Sequence, residues 1–194
     1  MNIWYGDDVA DDGELRLCGD VGGKRVIELG IAPTANSVTM ALAGAKTIAV
    51  DPSAEKIAAL RAAADAAEVS VECHAGEVAD LGFATSGSVD VVVAAHTLDQ
   101  VDDLARLLRQ VHRVLKPGAS FIVAVAHPVA EMFDGRDATV RHVYGSRGPT
   151  FADLFTVFDR SNFRFDVVHE LSDRRGREVG WPTVLVLRAR KQGV

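Results

Sequence analysis

The sequence predicts an α/β fold built on a doubly wound, mostly parallel sheet of seven strands. From Lys24 onward, short apolar runs rich in β-branched residues alternate with longer stretches of helical periodicity, which is the pattern of βαβ units. Two of the runs are apolar almost throughout, as expected for central strands that helices cover on both faces. The last two extended stretches are separated by a short connection, so we expect them to form an antiparallel hairpin at the C-terminal end.

Seven segments have the composition of strands, and the third is the weakest of them. They are Arg25 to Leu29, Thr47 to Val50, Val69 to Cys73, Val89 to Ala95, Ser120 to Ala126, Phe165 to Glu170 and Thr183 to Ala189. The two nearly continuous apolar runs are Val89 to Ala95 and Ser120 to Ala126, so we place them next to each other at the centre of the sheet. The turn-like segment 172–176 joins the final pair.

The helices are recognised mainly by their ends. Ser53 is expected to cap an Ala-rich helix that runs to about Ala67. A later helix begins near Val101 and stops at Lys116-Pro117-Gly118, because Pro and Gly cannot continue it. The last helix is predicted from Phe151 to Arg160. Thr34 is a candidate cap for the helix that follows the first strand.

Length and composition indicate a single domain over residues 1–194. The chain has 194 residues, of which 48% are hydrophobic and 25% are charged, as in ordinary globular proteins. Residues 1–23 precede the first strand and are predicted to form an N-terminal cap segment. Residues 127–149 contain Gly and Pro breaks without a sustained period, so we interpret them as a lid or substrate loop.

Charge and cysteine usage restrict the partners. The formal net charge is −6 and the sequence pI is about 5.5, which disfavours nucleic acid as a partner. Cys18 and Cys73 lack the spacing of a disulfide framework or a zinc site. Metal-ligand spacing is also absent from His74, His112, His142 and His169, so we expect no metal. The N-terminal residues do not resemble a signal peptide and no apolar stretch is long enough to span a membrane, which predicts a cytoplasmic protein without a membrane partner. The sequence allows a homodimer.

Acidic side chains end the first two strands of the predicted sheet. Glu28 lies near the end of the first strand and Gly30 follows, where a glycine lets a backbone approach a ligand closely. Asp51 ends the second strand, the position from which a carboxylate accepts hydrogen bonds from ribose hydroxyls. Glu28 would repel a pyrophosphate and attract a ligand that carries an ammonium and a sulfonium. A nucleoside with a cationic tail therefore fits this edge better than a dinucleotide.

The whole pattern resembles the class I S-adenosylmethionine-dependent methyltransferases, in particular the type 11 group. The resemblance is carried by five stretches along most of the chain. They are Glu28-Leu29-Gly30-Ile31-Ala32-Pro33-Thr34, Val50-Asp51-Pro52-Ser53, Gly76-Glu77-Val78-Ala79-Asp80-Leu81, Val89-Asp90-Val91-Val92-Val93-Ala94-Ala95-His96 and Val114-Leu115-Lys116-Pro117-Gly118. The implied fold is Rossmann-like. Ala32 and Thr34 stand where the family usually has its second and third glycine, so any positive φ there would be strained.

The resemblance implies S-adenosyl-L-methionine as the cofactor and a small molecule as the methyl acceptor. Glu77 would accept the adenine amino group, Val78 would cover the ring, and Asp80 is the competing acid. The residues predicted to bind the cofactor are Glu28, Gly30, Ala32, Asp51, Pro52, Glu77, Val78 and Ala95.

Two histidines are candidates for the chemistry. A hydroxyl or amine acceptor must lose a proton, and a neutral imidazole is the usual acceptor for it near pH 7. His96 and His127 each follow one of the two central strands, so both rings are predicted to face the methyl group. Structural roles for each remain an alternative.

Other side chains are candidates for closing the site. Tyr5 could close over the cofactor. The lid offers cationic and aromatic side chains for an acceptor, and a solvated loop is the alternative. These lid residues are Arg136, Arg141, His142, Tyr144 and Arg147.

The sequence thus predicts an enzyme that moves a methyl group to an O or N of a small molecule. A protein whose altered glycine loop has abolished catalysis, leaving a module that binds cofactor or a partner, is a second hypothesis. A nicotinamide-dependent oxidoreductase is a third, which Glu28 and the terminal hairpin disfavour.

Overall fold

A computed structural model describes residues 1–134, 137–174 and 180–193 and contains one seven-stranded sheet in the order β3-β2-β1-β4-β5-β7-β6. The strands are β1 Arg25–Leu29, β2 Lys46–Asp51, β3 Val71–Ala75, β4 Val89–Ala95, β5 Leu115–Ala126, β6 Phe163–Leu171 and β7 Val184–Lys191. The first five strands of this order pair in parallel, and β7 pairs antiparallel to both β5 and β6. The predicted fold class, including the terminal hairpin, is confirmed.

The chain reverses its direction of travel across the sheet between β1 and β4. From β1 it moves outward through β2 to β3, and it then returns to pair β4 with the free side of β1. Open α/β sheets bind ligands beyond the carboxyl ends of the strands at such a switch point. The ends of β1, β2 and β4 are therefore the first place to look for a site.

The described residues contain five α-helices, of which the first precedes β1 and the others lie between strands. They are α1 Asp12–Leu15, α2 Asn36–Leu42, α3 Ala54–Ala66, α4 Leu104–Val114 and α5 Phe151–Arg160. Ser53 caps α3 as predicted, because its side chain accepts from the main-chain N–H of Lys56. The bounds predicted for α5 are confirmed, and a reciprocal capping box between Thr150 and Asp153 explains its sharp start.

Several predicted boundaries were wrong. The helix α4 begins at Leu104 and not near Val101, since Asp103 is its N-cap and accepts from the N–H of Arg106. Lys116-Pro117-Gly118 follows the end of this helix as expected, but it already belongs to β5. The strand β3 lies two residues later than predicted. Ala35, not Thr34, occupies the N-cap position of α2.

The two faces of the sheet are covered in different ways. One face carries α4 and α5, whose residues Leu108 and Phe158 are fully buried against it. The central part of the opposite face is covered by α2 and by the predicted N-terminal cap segment, which buries Ile3, Tyr5 and Leu17. Residues 1–23 are thus part of the hydrophobic core, and they bring the main chain of Tyr5 close to the end of β4.

Candidate cofactor and active site

A cavity of about 240 Å³ opens beyond the carboxyl ends of β1, β2 and β4. This volume is somewhat below the roughly 300–1,000 Å³ common for small-molecule sites. The residues that line it come from the ends of these three strands, from α3, from the loop after β3 and from the start of α4. They are Gly30, Ile31, Asp51, Pro52, Lys56, Glu77, Val78, Ala79, Ala95, His96, Thr97, Gln100, Val101, Asp102, Asp103 and Arg106.

Gly30 is required where β1 and β4 approach each other. Its φ is +69°, and a Cβ at this position would lie 2.3 Å from Thr97 Oγ1. The Thr97 hydroxyl donates a 2.7 Å hydrogen bond to the carbonyl of Leu29, which holds the two strand ends together. Only glycine accommodates both the backbone conformation and the close approach of Thr97, and Gly30 itself lines the cavity.

Asp51 connects the end of β2 to the loop that follows β1. Its carboxylate is 3% exposed and accepts 2.8 Å hydrogen bonds from the main-chain N–H groups of Ile31 and Ser53. Lys56 in the first turn of α3 adds an ion pair of 3.2 Å. The carboxylate is therefore fixed in place at the wall of the cavity. A carboxylate that accepts hydrogen bonds from ribose hydroxyls must be fixed in this way.

Glu28 shapes the first loop from inside the protein. The residue is 1% exposed, and its two carboxylate oxygens accept from the N–H groups of Ala32 and Ser37 at 3.0 and 2.8 Å. Burial raises the pKa of the Glu28 carboxyl, although these hydrogen bonds oppose the shift. Among the described residues, neither Glu28 nor Ala32 belongs to the cavity wall. The structure therefore does not place the Glu28 carboxylate where it would directly attract a cationic ligand in the cavity.

Of the two candidate acids in the loop after β3, Glu77 and Asp80, only Glu77 lies at the cavity. Glu77 and Val78 line the cavity, and Val78 is buried at its wall. Asp80 is outside the cavity wall and uses its carboxylate to accept from the N–H of Gly82 at 3.2 Å. This arrangement favours Glu77 over Asp80 as the acid near an adenine.

His96 lines the cavity in a strained and firmly held conformation. Its φ is +52°, which is uncommon for a residue other than glycine. Its N–H donates to Ala124 at 2.8 Å, which ties it to β5. The ring Nε2 lies 2.9 Å from the carbonyl oxygen of Tyr5. Because a carbonyl only accepts, Nε2 carries the proton and the neutral ring keeps its lone pair on Nδ1.

His127 does not join His96 at the cavity. The residue is 1% exposed, its Nε2 lies 3.0 Å from Glu170, and its Nδ1 accepts from the N–H of Val129 at 3.2 Å. With Nδ1 accepting, Nε2 donates to the carboxylate, and both ring nitrogens are used within the protein. The strands β4 and β5 are adjacent as predicted, but the structure does not bring the two rings to one point.

The side chain of Tyr5 does not close over the cavity as the sequence suggested. It is 1% exposed and its hydroxyl forms a 2.8 Å hydrogen bond with Asp12 inside the core. The part of this residue that reaches the site is its carbonyl, which binds His96.

The polar residues of the lid bind one another or the start of α5. His142 and Arg147 both contact Asp134, each at 2.9 Å, and Arg141 contacts Asp137 at 3.2 Å. The Tyr144 hydroxyl accepts from the N–H of Phe151. Arg136, which was also predicted to contact an acceptor, lies outside the described residues, as do Arg175 and Gly176 of the predicted turn.

Sequence reasoning missed most of the loop after β4. Thr97, Gln100 and Arg106 all contribute to the cavity wall, and Lys56 contributes from α3. The available signal was a run of polar residues between the end of a central strand and the capping Asp103. Such a run at the carboxyl end of a parallel strand is typical of a ligand-binding loop.

A sequence model of the family described as methyltransferase domain matches residues 27–123, half of the chain. This match begins in β1 and extends into β5, so it contains every strand end that forms the cavity. The chain belongs to the methyltransferase domain family. The predicted family is confirmed, and S-adenosylmethionine is the cofactor of such domains.

Relatives and solved structures support this methyltransferase assignment. A ubiquinone biosynthesis O-methyltransferase of Xanthomonas oryzae pv. oryzae (strain PXO99A) is 29% identical over 114 residues, 59% of this chain and 48% of the relative. This chain therefore spans about half the length of that relative. A crystal structure of an S-adenosylmethionine-dependent methyltransferase from Mesorhizobium loti has a TM-score of 0.79 at 22% identity, covering 91% of this chain and 95% of the other. A geranyl diphosphate methyltransferase in complex with SAM has a TM-score of 0.73 at 13% identity, with 93% and 83% covered.

Two further observations concern the described part of this methyltransferase domain. None of its helices is long and apolar enough to cross a membrane. Within the same residues, no group of three or more His, Cys, Asp or Glu side chains is arranged to hold a metal ion.

Proposed function

We propose that the protein transfers the methyl group of S-adenosylmethionine to a hydroxyl group of a small molecule. The observation that carries the proposal is the presence, in one cavity, of a fixed carboxylate suited to a ribose and a histidine suited to accept a proton. These are Asp51 and His96. The family match supports the cofactor, and the geometry of the two residues supports the chemistry.

The residues of the cavity fit the cofactor. Gly30 presents its backbone at the cavity wall without a side chain, and Asp51 offers a buried carboxylate for the ribose hydroxyls. Glu77 and Val78 would hold the adenine, with Pro52 and Ala95 completing the wall. Glu28 and Ala32 would contribute to cofactor binding through the shape of the first loop, since the buried Glu28 carboxylate binds that loop from the protein interior.

The chemistry requires a base and accurate positioning. When bound, S-adenosylmethionine supplies an electrophilic methyl group on a sulfonium centre. His96 would accept the hydroxyl proton of the acceptor as the acceptor oxygen takes up the methyl group. The hydrogen bond from Nε2 to the Tyr5 carbonyl leaves Nδ1 as the atom that receives the proton. His127 has no free ring nitrogen in this arrangement, so we assign it a structural role.

The preference for oxygen over nitrogen rests on the relatives. The curated protein from Xanthomonas oryzae is named an O-methyltransferase, and a relative from Sodalis glossinidius that is 33% identical over 104 residues has the same name. A phenol is a suitable oxygen acceptor for this site. A phenolic hydroxyl ionises near pH 10, so an imidazole is a strong enough base to assist the removal of its proton.

The test is transfer of a radiolabelled methyl group from S-adenosylmethionine to a panel of phenols, aliphatic alcohols and amines. We expect labelled phenol products, and we expect His96→Ala to lower kcat by about 10²-fold or more, as loss of a general base does. His112→Ala is the matched control, because this ring binds the carbonyl of Gln192 and is not part of the cavity wall. No label in any acceptor, together with no binding of S-adenosylhomocysteine in calorimetry, would reject the proposal.

A second function, cofactor or partner binding without catalysis, follows from the absence of glycine at Ala32 and Thr34 in the first loop. Ala35 has a φ of +50°, in the region that suits glycine, so the loop retains a strained conformation. Binding of S-adenosylhomocysteine without methyl transfer to any member of the panel would support this second function.

The remaining expectations about the whole protein stay predictions. A small-molecule acceptor, no nucleic acid partner and a cytoplasmic location follow from the sequence reasoning, which also allows a homodimer. The oligomeric state is measured directly by size-exclusion chromatography with light scattering. A mass that is independent of concentration and equal to that of one chain would contradict the homodimer.

A further inference from the structure

The main chain of Trp4 and Tyr5 connects the helix that follows the first loop to His96. Asn36, the first residue of α2, is fully buried. Its side-chain amide accepts from the N–H of Trp4 at 2.8 Å and donates to the carbonyl of Trp4 at 3.0 Å. One side chain thus satisfies both polar groups of a residue 32 positions earlier.

The next residue, Tyr5, connects Trp4 to His96. Tyr5 is held on its side-chain end by the hydrogen bond from its buried hydroxyl to Asp12. It is held on its main-chain end by the paired Trp4. Its carbonyl therefore has a defined direction, and it lies 2.9 Å from Nε2 of His96.

We infer that Asn36 is a positioning residue that selects the Nε2-protonated form of His96 through the main chain of Trp4 and Tyr5. The tautomer of a neutral histidine is set by the hydrogen bond of its other nitrogen, so the Tyr5 carbonyl decides which nitrogen is free. Asn36 decides where that carbonyl lies. The catalytic use of this tautomer rests on the proposed function, whereas the tautomer itself does not.

The same geometry couples the site to the first loop. Ser37, adjacent to Asn36, donates its N–H to Glu28, and the other oxygen of Glu28 accepts from Ala32 in the loop. A displacement of the first loop would therefore also displace Asn36, through Glu28 and Ser37. His96 and the first loop are thus connected by hydrogen bonds and by the main chain of Trp4-Tyr5 and of Asn36-Ser37.

The experiment is ¹⁵N NMR of the histidine side chains at about pH 8, where imidazoles are mostly neutral. His96→Gln identifies the signals of His96. In the unaltered protein we expect a pyrrole-like Nε2 and a pyridine-like Nδ1. In Asn36→Ala both signals should move toward intermediate values, which report a mixture of tautomers. Trp4→Phe is the control, because it keeps the main-chain groups that Asn36 binds and an aromatic ring beside His96, whose ring lies 5.4 Å from that of Trp4 in the unaltered protein. Its His96 should keep the tautomer of the unaltered protein.

The readout separates this inference from the proposed function. It needs neither cofactor nor acceptor, so a protein without methyltransferase activity still tests it. Where Asn36→Ala does not fold, Asn36→Asp replaces it, since a carboxylate keeps the acceptor for Trp4 N–H but cannot donate to the Trp4 carbonyl. A folded Asn36 variant in which His96 remains fully protonated at Nε2 would overturn the inference, as would an equal change of tautomer in Trp4→Phe.

Discussion

The carboxylate of Asp51 accepts a 2.8 Å hydrogen bond from the main-chain N–H of Ile31, 20 residues earlier in the chain. This contact ties the end of β2 to the loop after β1, and Glu28 accepts from the N–H of the next residue, Ala32. The two acids of neighbouring strands thus bind consecutive amides of one loop. Both acids fix the position of this loop, and of the two only Asp51 lines the cavity.

Replacing Asp51 should weaken cofactor binding more than replacing a nearby acid outside the cavity. Asp51→Ala removes the carboxylate proposed for the ribose and also the acceptor of Ile31 N–H. A hydrogen bond to a charged group contributes about 1.5–3 kcal/mol, so we expect Kd for S-adenosylhomocysteine to rise by about 10- to 100-fold. Isothermal calorimetry measures this change. Asp80→Ala is the control, and equal losses in both variants would contradict the role of Asp51.

Gly30→Ala should destabilise the protein beyond the cost of its backbone conformation alone. A positive φ costs a residue with a Cβ about 1–2 kcal/mol, and overpacking against Thr97 adds about 1–3 kcal/mol. Gly118→Ala separates the two costs, because Gly118 has a φ of +72° but no atom within 4 Å of the added Cβ. Chemical denaturation measures the free energy of unfolding of both variants. Equal destabilisation would show that the approach of Thr97 is unimportant.

The parts of the fold that could be predicted are those that hydrophobic patterning determines. The bounds of β1 and β4 follow from apolar runs that end at charged or polar residues, and α5 follows from its amphipathic pattern and capping box. The start of β5 was missed because Pro117 and Gly118 resemble a break. Within this fully described strand, Leu115 pairs with Val89 and regular pairing resumes at Ser120, so the break lies inside an irregular part of the strand.

The candidate site was predictable only where strand ends define it. Gly30 and Asp51 could be located because the carboxyl ends of parallel strands meet at one edge. The direction of the Glu28 side chain, inward to the loop amides, depends on tertiary contacts that spacing does not reveal. The pairing of Trp4 with Asn36 joins residues of different elements and has no periodic signature in the sequence.

Glu28→Gln should remove a pH-dependent component of stability. Burial raises the pKa of this carboxyl above its usual value of 4.5, so the folded protein holds a proton that the unfolded chain has lost. The free energy of unfolding contributed by Glu28 therefore falls as the pH rises from about 4.5 through the raised pKa. We expect the unaltered protein to lose stability relative to Glu28→Gln over this range. Urea unfolding of both proteins at a series of pH values gives the difference. The contributions of the other acids cancel in this difference, because both proteins contain them. A difference in the free energy of unfolding that does not change with pH would contradict the raised pKa of Glu28.

The two cysteines should differ strongly in their reactivity. Burial, with a further contribution from Asp12, raises the pKa of the Cys18 thiol, whereas Cys73 is half-buried on β3. With a chromogenic disulfide reagent at about pH 8 we expect one thiol to react and the other to be slower by about 100-fold or more. Cys73→Ser should remove the rapid reaction, and Cys18→Ser should preserve it. Rapid reaction of two thiols in the folded protein would contradict the buried position of Cys18.

The altered glycine loop can be tested by placing glycine at three positions. Ala32 and Thr34, the positions at which the resemblance to the family predicts glycine, are not among the residues of positive φ, whereas Ala35 is, at +50°. Ala35→Gly should therefore raise the free energy of unfolding by about 1 kcal/mol, since it relieves the left-handed strain of a residue with a Cβ. Ala32→Gly and Thr34→Gly should instead lower it by a few tenths to about 1 kcal/mol, because glycine gains freedom in the unfolded chain. Chemical denaturation and calorimetry with S-adenosylhomocysteine are measured in parallel. A large gain in cofactor affinity for Ala32→Gly or Thr34→Gly would show that the loop has degenerated, whereas a gain confined to Ala35→Gly would show that this chain has moved its strained position to the start of α2.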